Sequence, residues 1–130
     1  MQKVTAVIGQ QNYRTEIKNA TNTLIADESV EAGGQNLGFA PRELLAASLA
    51  ACTSITLKMY ADRKEWNLRE AKVEVTFEWN KEESKSLLSR KIELIGDLDE
   101  SQKERLLVIA NSCPIHKILS NPFTITTSLV

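Results

Sequence analysis

The chain has 130 residues, with 16 basic and 17 acidic side chains giving a formal net charge of −1. That length suits a single domain spanning 1–130, and its 42 % apolar and 25 % charged residues give an ordinary globular composition, which excludes a disordered chain. The balanced charge and the absence of a basic run exclude the electrostatic footprint of a nucleic-acid surface.

The N-terminal segment has no long apolar core of the kind a signal peptide carries. A cytoplasmic, soluble protein is therefore expected, and in a reducing cytosol its two cysteines are not expected to form a permanent structural disulfide.

In chain order, "KVTAVIG" predicts a strand ending at Gly9. "YRTEIKN" places Tyr13, Thr15 and Ile17 on one face and Arg14 and Glu16 on the other, a half-buried strand. "TNTLIADE" predicts a third. Turn residues join them, so an antiparallel meander is expected. The loop that follows holds Gly33, Gly34 and Gly38, but its spacing fits neither a P-loop nor a dinucleotide fingerprint, and turn geometry accounts for it.

From Pro41 to Arg63 the sequence predicts one helix, with Pro at its first turn and Arg63 at its last. Its first half is apolar on all sides, which predicts burial all round. A chain of this size has difficulty enclosing such a helix, so a second copy is expected to cover it. The uncharged run 44–57 is shorter than the ~20 residues that span a bilayer, so no membrane partner is expected.

"AKVEVTFEW" alternates Val73, Val75, Phe77 and Trp79 with polar residues, and "LLSRKIELIG" returns as the second arm of a hairpin. "NKEESKS" reads as its solvated tip. "DLDESQKERLLVIANSC" predicts a helix with Asp99 and Gln102 in capping-box positions. Pro114 ends it and starts another turn, "PIHKIL", and "NPFTITTSLV" is expected to close the chain as a strand. The order β-β-β-α-β-β-α-α-β is an α+β arrangement.

The chemistry-bearing residues are Cys52, Cys113, His116 and Glu43. Cys113 precedes Pro114, so it falls at the N-cap of the restarting helix, where the local dipole favours a thiolate and a protonated His116 would add to it. Otherwise His116 is a surface or capping side chain. Cys52 lies mid-helix among apolar residues, where burial raises a thiol's pKa. For Cys52 to react, a cation must come from outside the helix, and Arg14 is the candidate. Glu43 reads as a first-turn acid interacting with the helix dipole, unless a bent helix start or a dimer contact brings it into chemistry. Cys113 and His116 form a possible zinc half-site, but no second close pair accompanies them.

"PRELLAASLAAC" and "CPIHKIL" together resemble the two cysteine motifs of the OsmC/Ohr family, the osmotically inducible and organic-hydroperoxide-resistance proteins. The resemblance extends to "LIADE…GG" and the element order, and so covers essentially the whole chain. It implies an OsmC-like fold: an intertwined homodimer with central helices between antiparallel sheets. It implies Cys52 as the peroxidatic and Cys113 as the resolving cysteine, with Glu43 as a further catalytic residue. It also implies a small hydroperoxide substrate, an external dithiol reductant and no bound cofactor. Arg42 here follows the helix-start proline where the peroxidases carry an acid, and their arginine segment is only approximated by Arg14. These departures place the chain in the broader OsmC-like branch. A non-enzymatic protein that binds a small apolar ligand in the dimer cavity is the alternative, and a zinc-binding module a third.

Overall fold

The computed structural model describes residues 1–130. Its elements are β1 (Thr5–Ile8), β2 (Thr15–Lys18), β3 (Thr23–Ala26), α1 (Pro41–Arg63), β4 (Asn67–Asn80), β5 (Lys85–Asp97), α2 (Glu100–Ala110) and α3 (Pro114–Leu119). They fall into two compact units, 1–46 and 47–130.

The first unit is the expected meander. β1 pairs antiparallel with β2, from Thr5↔Lys18 to Ile8↔Thr15, and β2 pairs with β3, from Thr15↔Ala26 to Lys18↔Thr23. The turn from β2 to β3 forms because Asn19 Oδ1 accepts the N–H groups of Thr21 and Asn22. Asp27, only 2 % exposed, organises the loop that follows. Its carboxylate accepts the N–H groups of Tyr13, Glu28, Gln35 and Leu37 at 2.7–3.2 Å. Burial opposes ionisation of Asp27, but the four backbone donors outweigh it and hold the carboxyl below its ordinary value. The loop glycines serve this packing. A Cβ on Gly34 would lie 2.2 Å from the Glu28 carbonyl oxygen, and one on Gly38 1.9 Å from that of Ile25.

α1 starts where Pro41 predicts. Pro41 takes the first helical position, where its missing N–H costs nothing, and Glu43 Oε1 accepts the Ala40 N–H at 2.9 Å. This is the reach-back half of a capping box, and it gives Glu43 a structural use at the helix start.

In the second unit α1 buries Leu49, Thr53, Leu57, Tyr60 and Ala61, one stripe at helical spacing. Leu57, Tyr60 and Ala61 form the core with Leu68 of β4 and Leu106 and Ala110 of α2, and Ile92 and Leu94 of β5 pack against it. Leu57 and Leu106 are fully buried, each worth about 1.5–3 kcal/mol relative to exposure. Tyr60 keeps its hydroxyl satisfied by accepting from Arg105 Nε at 3.0 Å.

β4 and β5 form the long hairpin, from Asn67↔Asp97 to Asn80↔Lys85, with a register shift between Leu68 and Glu70. Their alternation is as expected, with Val73, Val75 and Phe77 half-buried between exposed neighbours. Asn80 Oδ1 closes the tip by accepting the N–H groups of Glu82 and Glu83. α2 carries the full capping box: Asp99 Oδ1 accepts the Gln102 N–H at 2.8 Å and Gln102 Oε1 accepts the Asp99 N–H at 2.9 Å. α3 begins at Pro114 with Cys113 as its N-cap.

The closing strand expected over 121–130 does not form within this chain, because a strand needs an edge to pair with; Phe123, Ile125 and Leu129 stand exposed. Its own chain covers α1 along one stripe, and Ile55 and Met59 on other faces are exposed. α1, which contains the run 44–57, has 23 residues and is long and apolar enough, by length and composition alone, to cross a membrane, a criterion that core helices also meet.

Candidate functional site

The site lies wholly in the second unit. Cys52 is half-buried on α1 and Cys113, at the start of α3, is fully buried; both are free thiols. α1 and α3 bring the two thiols close enough for each to shift the other's ionisation. Sixty-one positions of sequence separate them (113 − 52), so the fold and not local spacing makes this pair.

The two thiols are perturbed in opposite directions. For Cys52, burial pushes the pKa up and the nearby Cys113 thiol pushes it further; the Ile115 N–H and the Thr56 hydroxyl oppose this without winning. Burial also disfavours charge on Cys113. Against that, the nearby Cys52 thiol, the N–H groups of His116 and Ile115 and the Thr53 hydroxyl together lower its pKa. The His116 N–H lies 3.4 Å from the sulfur, the contact that caps α3. The two thiols therefore ionise as a coupled pair.

A guanidinium that the sequence reading missed stands beside this pair. Arg90 of β5 donates Nη1–H to Thr53 Oγ1 at 2.9 Å and Nη2–H to Asn111 Oδ1 at 2.9 Å. The same Nη2 lies 3.2 Å from His116 Nδ1. A guanidinium only donates, so Nδ1 presents its lone pair and the ring proton sits on Nε2. In this arrangement His116 contributes an acceptor to Arg90 rather than a positive charge to Cys113. A signal for Arg90 was present in the sequence: it occupies the inward row of β5, between Leu88 and Ile92, where an apolar residue is the default.

Of the residues singled out from the sequence, the structure joins Cys52, Cys113 and His116. Glu43 makes its hydrogen bond at the helix start, in the first unit. Arg14 also belongs to the first unit, where it lies 3.9 Å from Glu16 in a weak ion pair. Nowhere do three or more His, Cys, Asp or Glu side chains gather into a group that could hold a metal ion.

Residues 33–128 match the model of the family described as OsmC-like protein. This chain belongs to the OsmC-like family. No functionally curated protein matches its sequence. Among solved structures, this OsmC-like chain resembles a Psychrobacter arcticus 273-4 protein, provisionally described as an osmotic stress induced and detoxification response protein. The two share 25 % identity at a TM-score of 0.78, over 91 % of this chain and 88 % of that one. An OsmC like protein from Mycoplasma pneumoniae gives 21 % identity and a TM-score of 0.76, covering 92 % and 87 %. An organic hydroperoxide resistance protein of Bacillus subtilis gives 22 % and 0.63, covering 91 % and 89 %. At these identities the Mycoplasma and Bacillus proteins show a shared fold.

Proposed function

We propose that this OsmC-like protein is a dithiol peroxidase that reduces hydroperoxides. The observation that carries the reading is the approach of Cys52 and Cys113, two free thiols from distant parts of the chain that the fold brings close enough to act on each other's ionisation. The hydroperoxide resistance description of fold relatives supports it.

In the reaction proposed, the Cys52 thiolate attacks the terminal oxygen of ROOH. The S–O bond forms as the O–O bond breaks, and the alkoxide leaves as ROH after taking a proton. Cys52 is oxidised by two electrons to the sulfenic acid. The Cys113 thiolate then attacks that sulfur, the S–S bond forms, and hydroxide leaves as water after protonation. An external dithiol returns two electrons by thiol–disulfide exchange, so no bound cofactor is needed. Cys52 is the half-buried member of the pair and the one open to substrate, whereas Cys113 is enclosed. The apolar residues of α1 favour organic hydroperoxides over hydrogen peroxide. We place the protein in the cytoplasm as a homodimer whose second copy covers the exposed faces of α1; Glu43 enters the chemistry only across that dimer.

The test is one equivalent of an organic hydroperoxide on the reduced protein, followed by mass spectrometry. A Cys52–Cys113 disulfide is expected. Cys52→Ser abolishes turnover, and Cys113→Ser traps a sulfenic acid or a mixed disulfide. Two unmodified thiols after prolonged exposure refute the reading. The raised pKa of Cys52 favours a second one, a non-enzymatic protein that holds a small apolar ligand, and a co-purifying ligand together with unreactive thiols would establish it.

A further inference from the structure

Tyr60 closes the core near the end of α1. Its residue is 9 % exposed and belongs to the same buried cluster as Leu57, Leu68 and Leu106. Trp66 meets the phenol edge-on, with 5.6 Å between ring centres. Three cations stand over this one ring: Arg63 at 5.4 Å, Arg105 at 5.7 Å and Lys64 at 5.8 Å from its centre. All three residues are exposed. None has a carboxylate within ion-pair distance, and the neighbouring acids Asp62 and Glu100 are taken by Lys58 and Lys103.

Basic residues at a helix end ordinarily offset the dipole, which amounts to roughly half a negative charge. Three full positive charges exceed that several-fold. The side chains do not cap α1 either: the carbonyls of Tyr60, Ala61 and Asp62 accept the N–H groups of Lys64, Trp66 and Glu65. The ring attracts cations through its quadrupole but carries no net charge to neutralise them. Donors also remain unused. Arg105 gives Nε–H to the Tyr60 hydroxyl oxygen at 3.0 Å, which leaves its two terminal nitrogens without an acceptor in the chain. The Tyr60 hydroxyl accepts that bond and still has its own proton to give. The hydrogen bond from Arg105, with the charges of Arg105, Lys64 and Arg63, holds the phenol below its ordinary pKa although burial opposes this.

We propose that the Tyr60 hydroxyl and the side chains of Arg105, Arg63 and Lys64 form a binding site for a small, doubly charged oxyanion of the phosphate type. The terminal nitrogens of Arg105 match two of its oxygens, as a guanidinium fork does. The Tyr60 hydroxyl donates to the same group, and Arg63 and Lys64 balance its charge. Because the Tyr60 ring is set in the core, this donor is in place before the anion arrives. The site lies about 12 Å further along α1 than Cys52, so it is separate from the thiol pair and independent of the dithiol reading.

Inorganic phosphate titrated into the reduced full-length protein tests this. The titration is run at about pH 8, where a phosphate group carries close to two charges, with ionic strength held constant by sodium chloride. Nuclear magnetic resonance follows the Arg105 Nε–H and the Trp66 indole N–H, and circular dichroism checks the fold of each variant. A saturating shift is expected, half complete at about 1 mM or below. Arg105→Gln should weaken binding about tenfold, as should Arg63→Gln combined with Lys64→Gln, both read from Trp66. Tyr60→Phe keeps the ring and removes the donor, and should weaken binding roughly fivefold. Lys81→Gln, at the far hairpin tip, should bind like the parent. A shift still linear at about 20 mM, or one that sodium chloride alone reproduces, overturns the site. Equal affinity in the parent, Tyr60→Phe and Arg105→Gln overturns it too. If Tyr60→Phe does not fold, the surface variants at 63, 64 and 105 decide by the same criterion.

Discussion

Arg90→Met removes a guanidinium that ties β5 to α1, to the end of α2 and to α3, while keeping a side chain of similar reach. Its three acceptors are Thr53 Oγ1, Asn111 Oδ1 and His116 Nδ1. A hydrogen bond with a charged partner contributes about 1.5–3 kcal/mol where water cannot replace it. Only Thr53 is fully buried, and its hydroxyl retains the Leu49 carbonyl. Asn111 is exposed and rehydrates, and His116 is half-buried and does so in part. Removing the charge also relieves some desolvation cost. The net expectation is a destabilisation of about 2 kcal/mol, or roughly 8 °C in Tm for a domain of this size. Urea denaturation at matched protein concentration measures it, because any self-association adds to apparent stability. Arg90→Lys keeps the charge but loses the fork, and should fall between the two. A loss below about 0.5 kcal/mol in Arg90→Met would show that the guanidinium does not brace these elements, and the reasoning would fail.

Leu106→Ala, at a fully buried core position, should cost about 2–5 kcal/mol in the same titration, whereas Leu107→Ala, at an exposed neighbour, should stay within about 0.5 kcal/mol. Asp99→Ala removes the N-cap of α2 and should cost about 1 kcal/mol, read from the shift of the urea midpoint at unchanged slope. Asp27 contributes pH-dependent stability. Its folded pKa lies below the ordinary 3.8, so its contribution is complete above that value and disappears as pH falls through the folded pKa. Acid titration of stability should therefore lose part of its slope below that point in Asp27→Asn, and an unchanged slope would remove Asp27 as the cause.

What could be read from the sequence was whatever is periodic or capped. The helix 41–63, the alternating hairpin arms, the Asp99–Gln102 capping box and Cys113 at an N-cap all follow from local rules, and all are present. The contact between Cys52 and Cys113 was implied only by family resemblance, since no local pattern encodes it. Arg90 shows the limit most clearly. Its place in an inward row is visible as period two, but its acceptors lie 37, 21 and 26 positions away. The missing closing strand has a different cause: alternation in 121–130 marks one surface for burial, and no edge within this chain receives it. For α1, composition correctly indicated an apolar helix, but not how much of it one chain would cover.

The sulfur of Cys113 is also the atom that caps α3, through the His116 N–H. In the proposed cycle a disulfide would make that sulfur a poorer acceptor, and oxidation would loosen the first turn of a helix only six residues long. His116, and with it the ring that faces Arg90, moves with that turn. On the proposed function the redox state would be carried in the order of residues 113–119, and the His116 amide should exchange with solvent faster in the oxidised protein than in the reduced one. A reductant or partner could then tell the two forms apart by the local shape of the backbone, without contacting either thiol.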